Sequence, residues 1–171
     1  MVPDGKSIVA KRTLLRYKLK ALALHKKLNN PKAIRLVNTF YPNPDDPSQL
    51  IVMDETFFYR WSRLPEKVES DLKITEILEY FDGVTLPEYI NRLRSVSPDY
   101  VMAESTCVRI ITQILQGLEM NYYIDEERGK NRYIAHGDLH TGNIMLKFLE
   151  NGEPLVKIID YGKATVHVLL L

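Results

Sequence analysis

Apolar positions change their spacing several times along the chain, and each change marks an element. After a turn at Asp4-Gly5-Lys6, the run Ser7-Ile8-Val9-Ala10-Lys11 predicts a strand. Thr13 can cap a helix whose stripe is Leu15, Leu19 and Leu22, running to about Leu28 and stopped by Asn29-Asn30-Pro31. Ala33 to Phe40 reads as a second strand. Tyr41 to Pro47 is broken by prolines and cannot sit inside a sheet. Leu50 to Phe58 and Leu72 to Tyr80 are further strands, separated by a polar linker from Trp61 to Asp71. An extended stretch then turns at Gly83 into a short helix, Leu86 to Leu93, with Pro87 in its first turn, where proline is tolerated. A longer helix, Glu104 to Tyr123, carries the stripe Cys107, Ile111, Ile114, Leu115, Leu118 and Tyr122. A charged loop, Asp125 to Arg132, delivers the chain to Ile134-Ala135-His136. Last comes a hairpin, with arms Ile144-Met145-Leu146 and Leu155 to Ile159 around an Asn151-Gly152 turn.

That hairpin concentrates the chemistry. Asn143 stands at its entry and Asp160 at its exit, so folding the arms together brings the two side chains close. Asp138, five residues before Asn143 in His136-Gly137-Asp138-Leu139-His140-Thr141-Gly142-Asn143, faces the same place. Three oxygen-bearing side chains at one end of a small sheet can hold a hard cation such as Mg²⁺ and orient a hydroxyl. His136, Asp138 and His140 also have ligand-type side chains, but no second His/Cys/Asp cluster follows at ligand spacing. His25 and His167 stand alone in the sequence.

His-x-Asp-Leu-x-x-x-x-Asn followed by Asp-aromatic-Gly resembles the catalytic loop and metal-binding turn of the protein-kinase-like superfamily. The resemblance covers residues 4–162 and is specific at 136–162. It implies an α+β, two-lobed kinase-like fold, a single domain over residues 1–171. Residues 1–80 would form a small antiparallel-sheet lobe and 81–171 part of a truncated, mainly helical large lobe. It implies that Asp138 accepts the proton of an attacking hydroxyl, and that Asn143 and Asp160 hold the Mg²⁺ ions bridging the phosphates of ATP. Lys11, in Ile8-Val9-Ala10-Lys11, matches the strand lysine that binds the α- and β-phosphates. The run Ile77 to Leu86 resembles the hinge that receives adenine, with Leu78 behind the adenine and Glu79 and Phe81 offering extended backbone. The activity implied is ATP- and Mg²⁺-dependent phosphoryl transfer to Ser/Thr hydroxyls of a protein. A catalytically inactive scaffold and a kinase of small molecules are the alternatives.

The departures from the pattern are as informative. Gly137 stands where regulated protein kinases usually carry Arg, so regulation by loop phosphorylation is not expected. His-Gly-Asp is similar to atypical protein kinases and to small-molecule kinases. No Asp or Glu occurs between Lys11 and Asp45, so the helix cannot supply the glutamate that usually pairs with the strand lysine. No Gly-x-Gly-x-x-Gly occurs, and nine residues follow Gly162, ending in the apolar run Val166 to Leu171. Three explanations stay open: a piece of a longer kinase, a minimal version, or a chain completed by a partner that covers this apolar run.

Composition narrows the class further. At 171 residues and 45% hydrophobic, the chain can bury a real core. It has no apolar run of membrane-spanning length and no signal-peptide pattern. One cysteine, Cys107, suggests a packed thiol in a reducing, intracellular compartment, cytoplasmic or nuclear. The net charge of +1 hides ten Lys/Arg and no acid between Lys6 and Arg35. Aromatic residues are scarce there, so a solvated face is expected and nucleic acid is not expected as a partner.

Overall fold

A computed structural model describes residues 8–43, 46, 48–54, 73–125 and 129–168; for 8–20, 73, 123–125, 130 and 168 it describes the backbone alone. Strand β1 (Ile8–Leu14) leads directly into helix α1 (Leu15–Lys27), followed by β2 (Leu36–Pro42), β3 (Leu50–Val52) and β4 (Lys73–Glu79). These strands form one antiparallel sheet in the order β1-β4-β2-β3. Thr13 is not a helix cap. It is paired with Ile74, because β1 stays on β4 as far as Leu14 opposite Lys73. The second strand starts at Leu36, and Ala33 makes instead a parallel bridge to Ile158. Tyr41 and Pro42, expected in a loop, end β2 opposite Ile51 and Leu50, at the terminus of a strand where proline is tolerated. Residues 55–58 of the expected third strand and the expected linker at 61–71 lie outside the described residues.

Strand β5 (Val84–Thr85) opens helix α2 (Leu86–Val96). Thr85 Oγ1 accepts from the Glu88 N–H, and a Glu88 carboxylate oxygen accepts from the Thr85 N–H at 2.9 Å, a reciprocal cap that fixes the helix start. Helix α3 (Glu104–Glu119) ends earlier than its apolar pattern predicts, because Tyr122 belongs to β6 (Tyr122–Asp125), which pairs with β7 (Lys130–Ala135). The segment expected as a charged loop therefore contributes a hairpin. The buried stripe of α3 is also displaced. Ile110 and Gly117 are buried, while Ile111 and Leu115 are 55% and 60% exposed. Gly117 supplies the cause, since a Cβ there would lie 2.9 Å from Ile158 Cδ1 and from Lys32 Cβ. The helix meets strand β9 on its smallest residue, which turns the contact face away from Ile111 and Leu115, while Ile114 and Leu118 of the expected stripe still pack against the core.

The remaining strands are β8 (Ile144–Phe148), β9 (Pro154–Ile158) and β10 (Thr165–Val168). They complete two three-stranded sheets, β5-β8-β9 and β10-β7-β6. Alternate residues of β8 and β9, Ile144, Leu146, Val156 and Ile158, point into the main core with Ile110, Ile134 and Tyr161. Leu22, Leu36, Met53 and Ile74 form a second cluster between α1 and the first sheet. Thr165 to Val168, the start of the C-terminal apolar run, is paired with β7. No helix among the described residues is long and apolar enough to cross a membrane.

Candidate active site

Register fixes the site. Ile144 lies opposite Ile158, and the Ile159 N–H donates to the Asn143 carbonyl at 2.9 Å. The residues at entry and exit, Asn143 and Asp160, are thus held at the same end of the β8–β9 hairpin. Both line a cavity of about 350 Å³, within the usual range for small-molecule sites. Its far side is built by Leu78, Glu79, Tyr80, Phe81 and Gly83, its floor by Met145 and Ile159, and its back by Glu76, His25 and Tyr161. The expected site residues Leu78, Glu79, Phe81, Asn143 and Asp160 therefore share one cavity.

Each acidic or amide side chain is oriented by a specific partner. Asn143 is buried, and its Nδ2 donates to the Asp138 carbonyl at 2.9 Å. That bond assigns the amide, so Oδ1 is the atom Asn143 presents to a ligand. Asp160 has φ +60°, the sole non-glycine residue in left-handed backbone among the described residues. Aspartate is one of the few L-residues that tolerate this conformation, and the Gly162 N–H donates to its Oδ1 at 3.3 Å. Asp138 Oδ2 lies 2.9 Å from Lys163 Nζ, and this hydrogen bond holds the Asp138 carboxyl below its ordinary range. Asp138 therefore stays ionised at neutral pH.

His136 sets the loop without binding anything itself. Its Nε2 donates to the Ile159 carbonyl at 2.8 Å, and its Nδ1 accepts from the Asp138 N–H at 3.3 Å. Burial lowers its pKa, which keeps the ring neutral and in this one tautomer. His140 Nδ1 accepts from the Gly142 N–H. The ligand-type cluster His136, Asp138 and His140 is thereby dispersed into backbone bonds. No group of three or more His, Cys, Asp or Glu side chains suited to a metal occurs among the described residues.

Gly137 has φ +78°, and a Cβ at this position would overlap the Lys163 carbonyl oxygen. The two loops that carry Asp138 and Lys163 approach here too closely for any side chain. Gly83 answers a similar demand, since a Cβ there would sit 2.5 Å from Phe81 Cε1 and 2.8 Å from the Leu146 carbonyl oxygen.

The aromatic residue of Asp160-Tyr161-Gly162 is an anchor. Tyr161 is buried, with ring centroids 5.1 Å from His25 and 4.6 Å from His136. Its hydroxyl donates to Asn121 Oδ1 at 3.3 Å, which also accepts from Asn30 Nδ2 at 2.7 Å. Burial pushes the phenol up to about 12, so it remains a donor. His25 Nε2 lies 2.7 Å from the Ile34 carbonyl.

Glu79 has its carboxylate engaged by Lys157 Nζ at 2.5 Å and by the Arg35 N–H at 3.1 Å. Phe81 is buried, with Lys147 Nζ 5.4 Å from its ring centroid. For Lys11 the backbone places it directly opposite Glu76 in the β1–β4 register.

Sequence reasoning missed Glu76, His25, Lys163 and Asn121. Lys163 was open to discovery, being a cation directly after the Asp-Tyr-Gly turn. The others depend on partners far away in sequence.

Comparison with known proteins agrees with the architecture. The family model described as "Protein kinase domain" matches residues 9–168. Among curated proteins the chain is similar to Mitogen-activated protein kinase kinase 2 of Arabidopsis thaliana, 34% identical over 93 residues. It is also similar to Mitogen-activated protein kinase kinase SIPKK of Nicotiana tabacum, 30% identical over 93 residues. Each alignment covers 54% of this chain and 21% of the relative, so the chain spans about a fifth of the length of either.

Proposed function

Because the chain belongs to the protein kinase domain family, we propose that it is an ATP- and Mg²⁺-dependent phosphotransferase acting on Ser/Thr hydroxyls of protein. The observation that carries this reading is the meeting of Asn143 and Asp160 at one end of a hairpin, facing a cavity whose opposite wall is Leu78 to Phe81. The protein substrate is supported by the relatives, whose names make them kinases of a protein.

The residues present fit the implied cofactor. A carboxylate and an amide oxygen are hard donors, and Mg²⁺ bound with phosphates typically takes one or two carboxylates and keeps several waters. Asp160 and the Asn143 Oδ1 would hold it, and Lys11 would meet the α- and β-phosphates. A bound Mg²⁺–ATP supplies the transferable phosphoryl group and neutralises charge developing on it. Adenine would lie against Leu78 and the backbone of Glu79 to Phe81, since the Glu79 carboxylate is already taken by Lys157. Asp138, kept ionised by Lys163, accepts and aims the proton of the attacking hydroxyl. The small-lobe and large-lobe division at residue 80 follows the same reading, with this cavity between them.

A second reading is a scaffold without turnover, and the acid-free helix α1 favours it. Thermal denaturation with ATP, with and without Mg²⁺, separates the two, because a ligand of the native state raises its melting temperature. The phosphotransferase reading expects a Mg²⁺-dependent rise that Asp160→Ala abolishes together with phosphate transfer. A rise that is indifferent to both Mg²⁺ and Asp160, without transfer, would select the scaffold.

A further inference from the structure

Helix α2 carries an apolar face that is only partly covered. Leu86, Ile90 and Arg94 recur at intervals of four and so share one side of the helix, yet no residue of α2 is buried. That side meets Cys107, Ile110 and Ile111 of α3 across a cavity of about 290 Å³, close to the lower bound of roughly 300 Å³ for small-molecule sites. It shares no lining residue with the cavity of Asn143 and Asp160. Val101 and Met102, from the connection between the helices, complete an apolar lining. Two polar side chains interrupt it. Tyr100 is engaged by a side-chain hydrogen bond with Tyr89. Arg94, in the last turn of α2, is the sole charged residue of the lining and makes no hydrogen bond or ion pair among the described residues. A guanidinium is a permanent cation whose planar fork of donors suits a carboxylate.

We propose that the cavity between α2 and α3 is a second binding site, for a free small amphiphile with its apolar tail among Leu86, Ile90, Ile110 and Ile111 and its carboxylate head on Arg94. The lining dictates the tail, because a polar group buried there would lose its partners in water. Charge dictates the head, because an unpaired cation beside an otherwise apolar cavity attracts an anion and repels a second cation. A peptide would bring N–H and C=O groups along its whole length, and beyond Arg94 and Tyr100 the lining side chains offer them little. The site does not rest on the phosphotransferase reading.

Cys107 is the only cysteine of the chain and lies half-buried in the lining, so its alkylation reports occupancy of the cavity. The probe is decanoate below its micellar concentration, with N-ethylmaleimide as the thiol reagent. Decanoate should slow labelling of Cys107 several-fold and saturably. Decyltrimethylammonium, with a like tail and the opposite head, should leave the rate near that of the protein alone. Arg94→Lys should keep the protection by decanoate, and Arg94→Glu should abolish it and favour the cationic amphiphile instead. Arg94 is exposed, so both variants should fold. Calorimetric titration reads the same binding without the thiol, and decanoate should raise the Tm of the parent protein but not of Arg94→Glu. Absence of saturable decanoate binding, or equal binding of the two amphiphiles, would overturn the proposal. So would a dimer in sedimentation that Ile111→Glu converts to monomer, because a second copy would then cover this face.

Discussion

The two halves of the cavity are built by different means. On the hairpin side, Asp138, Asn143 and Asp160 fall within 23 consecutive residues, and each is oriented by a neighbour within that stretch or no more than three residues beyond it: Lys163, the Asp138 carbonyl, the Gly162 amide. On the β1–β4 side, the residue opposite Lys11 is 65 positions away, and the join depends on strand register. The first half is a local construction that a short motif can encode. The second exists only once the sheet has formed. The two halves therefore have separate structural vulnerabilities.

The sharpest way to expose that separation is Asp138→Asn. On the phosphotransferase reading the shape is preserved and the proposed proton acceptor is removed, so turnover should fall by a factor on the order of 10²–10⁴. Nucleotide affinity, measured by Mg²⁺–ATP titration, should barely move, because Asp138 acts on the hydroxyl. A matching loss of affinity would mean that the halves are coupled. Gly137→Ala comes next. It adds a methyl group against the Lys163 carbonyl at a positive φ, and strain plus overpacking should cost about 2–4 kcal/mol of stability in denaturant unfolding. Its local effect should be a loosened Asp138–Lys163 pair. Asn121→Ala removes the acceptor shared by Asn30 and Tyr161 and should cost about 1–3 kcal/mol, with little change in the KM for ATP.

The smallest effect is one of pH. The His136 pKa is lowered in the folded state from the ordinary 6.5, so the unfolded chain takes up a proton first. The contribution of neutral His136 is complete above pH 6.5 and is lost as pH falls from there through the folded-state value. Melting temperature should decline over that interval, and His136→Asn should flatten the decline. An identical slope in the variant would show that another group governs it.

How much of this could be read beforehand follows the same division. Asn151-Gly152 between apolar arms announced the hairpin and with it the placing of Asn143 and Asp160 at one end, because period-2 pairing and turn chemistry are local. The stripe of α3 was right at Ile114 and Leu118 and wrong at Ile111 and Leu115, because the helix orientation is set by Gly117 meeting Ile158 and Lys32, a contact that helical periodicity cannot express. Thr13 was read as a cap because threonine suits that position, but pairing with β4 outweighs local propensity. Nothing local in the strand Leu72 to Tyr80 marks Glu76. Only the two flanking strands reveal that it is buried.

The anchored ring of Tyr161 has a meaning for which molecules the cavity will admit. Its hydroxyl sits in a buried amide network and its ring packs on two histidines, so swinging the turn outward would break one hydrogen bond and two ring contacts at once. These contacts disfavour an outward conformer. A compound that requires the outward conformer has its apparent affinity reduced by the small fraction of molecules in that state, whereas one that accepts the turn as it stands meets no such reduction. Tyr161→Phe, by freeing the hydroxyl's share of the restraint, should narrow the gap between the two kinds of compound.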